Sequence, residues 1–302
     1  MSQLDAQDRE RILVFDHILA GGDFLKSAAY SADDYVRTVL KEDGLTRQMF
    51  TAFKITADDL DLSVSSDKPM KIVEKEVDTV ATSLPYRDSA PTEYITGDRY
   101  AISFHKISTE KLMKNIVELK SQKNDVRKIL TDNGLKEIET EEDSTLFGQF
   151  DTICAAAPTT QLHAPAGGLT RKNLIDGIIK FQKLKVLPGY MVMNNNTYMT
   201  YIKNLEATDV DGGLTSDVMT GEKKLTHIYE WPLLISIKDD IVLDNIVYLV
   251  AKEDYLGKFF VLTEPTSHMK VEEGDTLIWF FWEVIGLGIG NTAAVVKCDF
   301  TA

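Results

Sequence analysis

The sequence predicts an α+β fold. Three observations point there. An amphipathic helix pattern runs without Pro or Gly from Thr109 to about Asp132. Strand-like and helix-like stretches follow it without a regular βαβ alternation, which argues against a doubly wound sheet. Near the C-terminus, TLIWFFWEVI (residues 276–285) is apolar almost throughout, as a strand buried on both faces is.

Residues 1–50 read as an arm of short helices. An apolar patch at residues 11–20 ends at Gly21-Gly22, and a second piece carrying Tyr35, Val36, Val39 and Leu40 ends at Gly44. A small helical subdomain is the alternative. The first residues are charged from Asp5 to Arg11 and lack the apolar centre of a signal peptide.

Residues 51–108 read as a long hairpin. Ile72, Val73, Val77 and Val80 sit among polar residues, as in a solvated strand. From Arg99 to Ser108 the pattern alternates, with Tyr100, Ile102 and Phe104 on one face. Between them PYRDSAPTEYITGD (85–98) has turn chemistry. So polar a hairpin is marginal alone in water and needs something to lie against. No later segment offers itself as that partner. An edge hairpin of a larger sheet is the plainer alternative.

In the long helix Leu112, Ile116, Leu119, Val126 and Leu130 share a face, widened by Met113, Val117 and Ile129. Ser108 or Thr109 is the expected cap, and Asn133-Gly134 the expected stop or kink. At 1.5 Å per residue the helix would be about 36 Å long. A second helix is expected over 135–150. Its Glu137, Glu139, Glu141, Glu142 and Asp143 read as a solvated face rather than a cation site. AAAPTTQLHAPAGG (155–168) is a loop and a boundary.

Beyond it, Thr170 caps a helix with Leu174, Ile175, Ile178, Ile179 and Phe181 inward. A buried strand spans 189–193, and one of Asn194, Asn195 and Asn196 caps a helix with Tyr198, Tyr201, Ile202 and Leu205. Residues 209–220 form a polar loop. Strands are expected at 233–237, 246–250, 259–262, 276–285 and 293–299.

Charge and motifs narrow the function. The net charge of −14 repels phosphate, which disfavours a dedicated nucleic-acid binder and an anionic membrane surface. The longest apolar run, 277–289, is broken by Glu283 and is short for a membrane span. Cys154 and Cys298 form neither a metal-ligand spacing nor a disulfide framework, and are expected to be free thiols in a reducing compartment. The five histidines are scattered. GLGIG (286–290) resembles part of a dinucleotide fingerprint, but a strand follows where a helix should open, so it reads as a glycine-rich strand connection. DVDGG (209–213) lacks the ligand spacing of a calcium loop. No P-loop, G-x-S-x-G elbow or H-E-x-x-H is present. No enzyme, cofactor or metal is expected.

The order of pieces carries more than any motif. RYAISFHKIST leads into the helix, NDVRKILTDN lies within it, GYMVMNNNTYMTYIKN gives strand, Asn cap and helix, and SIKDDIVLDNIVYLVAKEDYLGKFF precedes GDTLIWFFWEVIGLGIGN. Over about residues 46 to 300 this resembles the major capsid proteins of tailed bacteriophages, whose shell fold encapsulins share. The resemblance implies an N-terminal arm (1–50), an extended loop reaching a neighbouring subunit (51–108), and a peripheral domain with a spine helix (109–168). It further implies a mixed axial domain (169–265) and C-terminal strands returning to the core (266–302). It implies a self-assembling icosahedral head shell around double-stranded DNA, built of pentamers and hexamers in host cytoplasm. Scaffolding, portal and decoration proteins would be partners, and DNA would be held without sequence reading. About fifty residues precede the hairpin, so the scaffold is expected to be separate or absent. The expected intersubunit tip is Pro85, Tyr86, Arg87, Tyr94, Ile95 and Asp98. Lys68, Lys71 and Lys75 lie near the hairpin, with nothing to mark them as cross-linking residues. Alternatives are an encapsulin-like compartment, a tail or adaptor protein, and a soluble α+β enzyme with acidic residues converging around 137–143 or 209–217.

Overall fold

The computed structural model describes residues 42–62, 69–77, 81–89, 92, 94, 97–115, 126–156, 161–204, 227–229, 231–272 and 276–301. The expected helices within 1–41 and the loop at 209–220 lie outside these residues. The chain divides into two compact units. The described residues of the smaller fall within Ser108–Ile138 and Pro265–Trp282; those of the larger fall within Glu42–Ile107, Glu139–Glu264 and Glu283–Ala302.

The larger unit holds a six-stranded mixed sheet. Its strands are β7 (Leu162–His163), β8 (Pro188–Asn194), β9 (His227–Ile228), β10 (Trp231–Ser236), β11 (Ile246–Ala251) and β14 (Val295–Asp299), in the order β7-β14-β11-β8-β10-β9. The centre strand β11 reads IVYLVA and is buried at every residue. A continuous apolar run here marks a strand covered on both faces, where the sequence predicted a strand at 246–250. Strand β8 pairs antiparallel with β11 and parallel with β10.

Local signals set the helices around this sheet. Thr170 caps α3 (Arg171–Gln182), its hydroxyl accepting from Asn173 N at 3.2 Å. Asn194 caps α4 (Asn195–Asn204), its Oδ1 accepting from Thr197 N at 2.8 Å. Helix α3 buries Leu174, Ile178 and Phe181, and Phe181 meets Trp231 edge-on at 4.8 Å. Phe147 and Phe150 pack on the Tyr248 ring at 5.1 and 6.0 Å. Asp151 below them accepts from Tyr248 Oη and Lys297 Nζ at 2.8 and 2.7 Å.

Phe147, Phe150 and Asp151 belong to α2 (Val126–Ala156), a helix of 31 residues, about 46 Å long. The expected helix over 109–132 is thereby corrected. Residues 116–125 lie outside the described residues. Before them, Leu112–Asn115 is strand β6, paired antiparallel with the start of β13 (Thr276–Ile289). Thr109 does not cap a helix: its N–H donates to Phe281 O at 2.9 Å, and its hydroxyl accepts from Phe281 N at 3.0 Å. Helical spacing gave way here to an available strand edge. Nor does Asn133-Gly134 stop the helix, and the separate helix expected over 135–150 is its continuation. A Cβ on Gly134 would lie 2.4 Å from Phe281 Cδ2, so the glycine lets the helix pass the ring.

Strand β12 (Gly257–Glu272) neighbours β13 in a sheet of order β1-β12-β13-β5, where β1 is Ala52–Lys54 and β5 is His105–Ser108; β6 pairs with β13 beside this path. A third sheet joins β2 (Asp61–Leu62), β3 (Pro69–Glu74) and β4 (Arg99–Ser103) in that order.

Candidate functional site

The root of the expected hairpin is present, while residues 52–54 and 105–108 of the expected 51–108 span join another sheet, and this root has a partner that the sequence did not reveal. Strands β3 and β4 pair antiparallel from Met70↔Ser103 to Glu74↔Arg99. Lys75 N then donates to Asp98 O at 2.8 Å and closes the ladder. Tyr100, Ile102 and Phe104 share a face by strand alternation. That face lies on GLGIG. Cβ atoms built on Gly286, Gly288 and Gly290 would fall 2.7, 2.5 and 2.6 Å from Phe104, Ile102 and Tyr100 respectively. The alternate glycines leave room for three large side chains to rest on strand backbone. This is what GLGIG does in place of binding a dinucleotide. Gly288→Ala is expected to lower stability by about 1–3 kcal/mol through overpacking against buried Ile102. A urea midpoint measures it, and Ile102→Ala in the same chain should offset part of the loss.

Beyond Lys75 and Asp98 the chain leaves the ladder. Asp88 N donates to Pro85 O at 2.9 Å, closing a turn with Tyr86 and Arg87 at its corner. Pro85, Tyr86, Arg87, Tyr94 and Asp98 are all exposed, the two tyrosines at 104% and 91%. Ile95 lies outside the described residues. Root and tip therefore differ: one is seated in the subunit, the other presents aromatic side chains outward.

A second constellation was misread from the sequence. Glu142 and Asp143 are 0% exposed, so their part of the helix is not a solvated face. Their counter-charges come from residues some 95 positions away. Thr46 N and Oγ1 donate to Asp143 Oδ1 at 2.8 and 2.9 Å, and Lys238 Nζ to Oδ2 at 2.7 Å. Arg47, on α1 (Leu45–Met49), donates through Nε and Nη2 to the two oxygens of Glu142 at 2.8 and 2.5 Å. Its Nη2 also reaches Glu283 Oε2 at 3.1 Å. Burial, and then the neighbouring Glu142, push the Glu283 carboxyl up to about 9. Flanking residues fasten the same segment: Glu42 accepts from Ser236 Oγ and Ile237 N, and Thr51 donates to Glu253. The one sequence signal was Glu283 itself, a lone acid inside an apolar strand.

Cys154 and Cys298 are free and buried, and burial raises their thiols to about 11 and about 12. Neither should form a thiolate at neutral pH. Alkylation of native protein should mark neither, and alkylation after non-reducing denaturation should mark both; a Cys154–Cys298 linkage in mass spectra would overturn this. Among the described residues no group of three or more His, Cys, Asp or Glu is placed to hold a metal ion, and no helix is long and apolar enough to cross a membrane.

No protein-family model and no curated protein matches the sequence. Solved structures do match. A capsid chain of an empty GTA particle is 14% identical, with 89% of this chain and 94% of that one covered and a TM-score of 0.61. A chain of the mature capsid of bacteriophage PhiM1 is 9% identical, with 89% and 90% covered and a TM-score of 0.61. A chain of a virus-like particle from Pyrococcus furiosus is 15% identical, with 92% and 99% covered and a TM-score of 0.55. At these identities the likeness is one of fold, and it spans nearly the whole of both partners. The chain therefore has the tailed-phage capsid fold, and it resembles the Pyrococcus particle chain as well.

Proposed function

We propose that this chain is a major capsid protein that self-assembles into the icosahedral head shell around the double-stranded DNA of a tailed phage. The observation that carries the reading is the division of the hairpin, with a root seated on GLGIG and a tip that presents Tyr86 and Tyr94 to solvent. An aromatic tip on a fixed root is built to meet another surface. In this reading the tip residues Pro85, Tyr86, Arg87, Tyr94, Ile95 and Asp98 contact a neighbouring subunit. Residues 1–50 serve as an arm, 51–108 as the extended loop, 109–168 as the peripheral domain, 169–265 as the axial domain and 266–302 as returning strands. The chain acts as a structural protein and not as an enzyme. Its partners are its own copies in pentamers and hexamers, then scaffolding, portal and decoration proteins. Its net charge of −14 keeps the wall from adhering to the genome, which it holds without sequence reading. It assembles in host cytoplasm and ends in the virion.

Electron microscopy of the purified chain tests the proposal. Pentamers, hexamers or closed shells are expected, alone or with a scaffold. A compact monomer that never assembles, even with its phage's own partners, would overturn it. The likeness to the Pyrococcus particle motivates a second reading, a compartment that encloses protein. Nuclease-protected DNA in particles from infected cells supports the head shell; enclosed protein without DNA supports the compartment.

A further inference from the structure

The buried cluster around Arg47 holds a carboxyl that the proposed function does not use. Glu283 is fully buried, and Arg47 donates to its Oε2. Among the described residues its Oε1 finds no donor. A buried carboxylate oxygen without a donor is costly. The group beside it is the Glu142 carboxylate, which bonds to Glu283 only if one of the two carries a proton. Charge agrees with geometry. Arg47 and Lys238 balance Glu142 and Asp143, so the cluster is neutral only when Glu283 is uncharged. Glu264 faces the same group from β12 and lies 3.9 Å from Arg47 Nη1, but it is half exposed and lies closer, 3.0 Å, to Lys54 Nζ. As an acid Glu264 adds negative charge near Arg47 and supplies no counter-charge to Glu283.

We infer that Glu283 and Glu142 share one proton in the native subunit, and that this proton latches the segment Glu42–Thr51 to the long helix and to strand β13. The segment supplies Arg47, and α2 and β13 supply one carboxyl each. Removing the proton places two negative charges on one guanidinium inside the protein, and the contact becomes repulsive.

The sign of the pH effect follows. In the unfolded chain Glu283 ionises near its ordinary value of 4.5, while in the native subunit it keeps its proton up to about 9. Between these limits the native state binds the extra proton, so this group makes stability fall as pH rises. Below 4.5 it contributes no slope, and above 9 its contribution is complete. At full effect the folding equilibrium constant falls about tenfold per pH unit.

The test is urea unfolding of the full-length chain at several pH values from 6 to 10, beside Glu283→Gln. Glutamine keeps the shape and offers Glu142 a permanent N–H donor. The wild-type chain should lose stability across this range relative to the variant, and the variant should equal or exceed it near pH 10. Parallel profiles would overturn the inference. Infrared spectroscopy of the wild-type chain serves even if the variant fails to fold. A protonated carboxyl band should persist at neutral pH, where solvated carboxyls are ionised, and vanish in alkali. Absence of that band at neutral pH would equally overturn the inference.

Discussion

Arg47→Met should remove about 3–5 kcal/mol of stability, a large share of the 5–15 kcal/mol typical of a domain. The reason is geometric. Arg47 is the cation that reaches both Glu142 and Glu283, and both acids are fully buried. Methionine fills much of the volume but leaves the negative charge of the Glu142–Glu283 pair without its cation. Breaking a buried pair from one side costs far more than the pair contributes when intact. Arg47→Lys should rescue little, because one ammonium cannot match the two-pronged contact to Glu142 while also reaching Glu283. Adding Glu142→Gln to Arg47→Met should recover part of the loss, since it removes the stranded charge. Urea unfolding of the three chains measures this. A loss below about 1 kcal/mol for Arg47→Met would show that water, not Arg47, solvates the two acids.

The same cluster shows where sequence reading stops. Short-range signals were legible. The strand at β11, the cap Thr170 and the alternation of Tyr100, Ile102 and Phe104 reappear as read, and of the three candidate asparagines Asn194 is the cap. Each depends on residues within a few positions of one another. What failed depended on distant partners. Glu142 and Asp143 looked solvated because Arg47 and Lys238 are about 95 residues away. Gly134 looked like a helix end because Phe281, whose ring it accommodates, is far along the chain. Leu112 and Met113 fitted a helical stripe, yet they are paired with Trp279 and Ile278 as strand residues, and Met113 is 68% exposed. The exposure of Pro85, Tyr86, Arg87, Tyr94 and Asp98 was legible for a negative reason: their stretch of sequence holds little apolar surface to drive burial.

Excision of the tip is expected to separate folding from assembly. Lys75 and Asp98 already bond across the hairpin, directly beyond the Glu74↔Arg99 pair. Residues 76–97 can therefore be replaced by Asn-Gly, a two-residue turn suited to such a ladder. The root keeps its seat on Gly286, Gly288 and Gly290, so the helix and sheet signal of the subunit should persist. Its urea midpoint should shift by less than about 1 kcal/mol, because the deleted side chains described are exposed. Assembly should respond very differently. Tyrosines buried at an interface centre are often worth about 2 kcal/mol each, and 1.4 kcal/mol is tenfold in an equilibrium constant. Tyr86→Ala with Tyr94→Ala should raise the threshold concentration for shells by at least about tenfold, and the full excision should abolish closed particles. Light scattering and electron microscopy read both effects, while circular dichroism reports the subunit fold. Normal shells from the excised chain would show that the tip is not an intersubunit contact. An unfolded subunit would show that residues 76–97 belong to the subunit's own core.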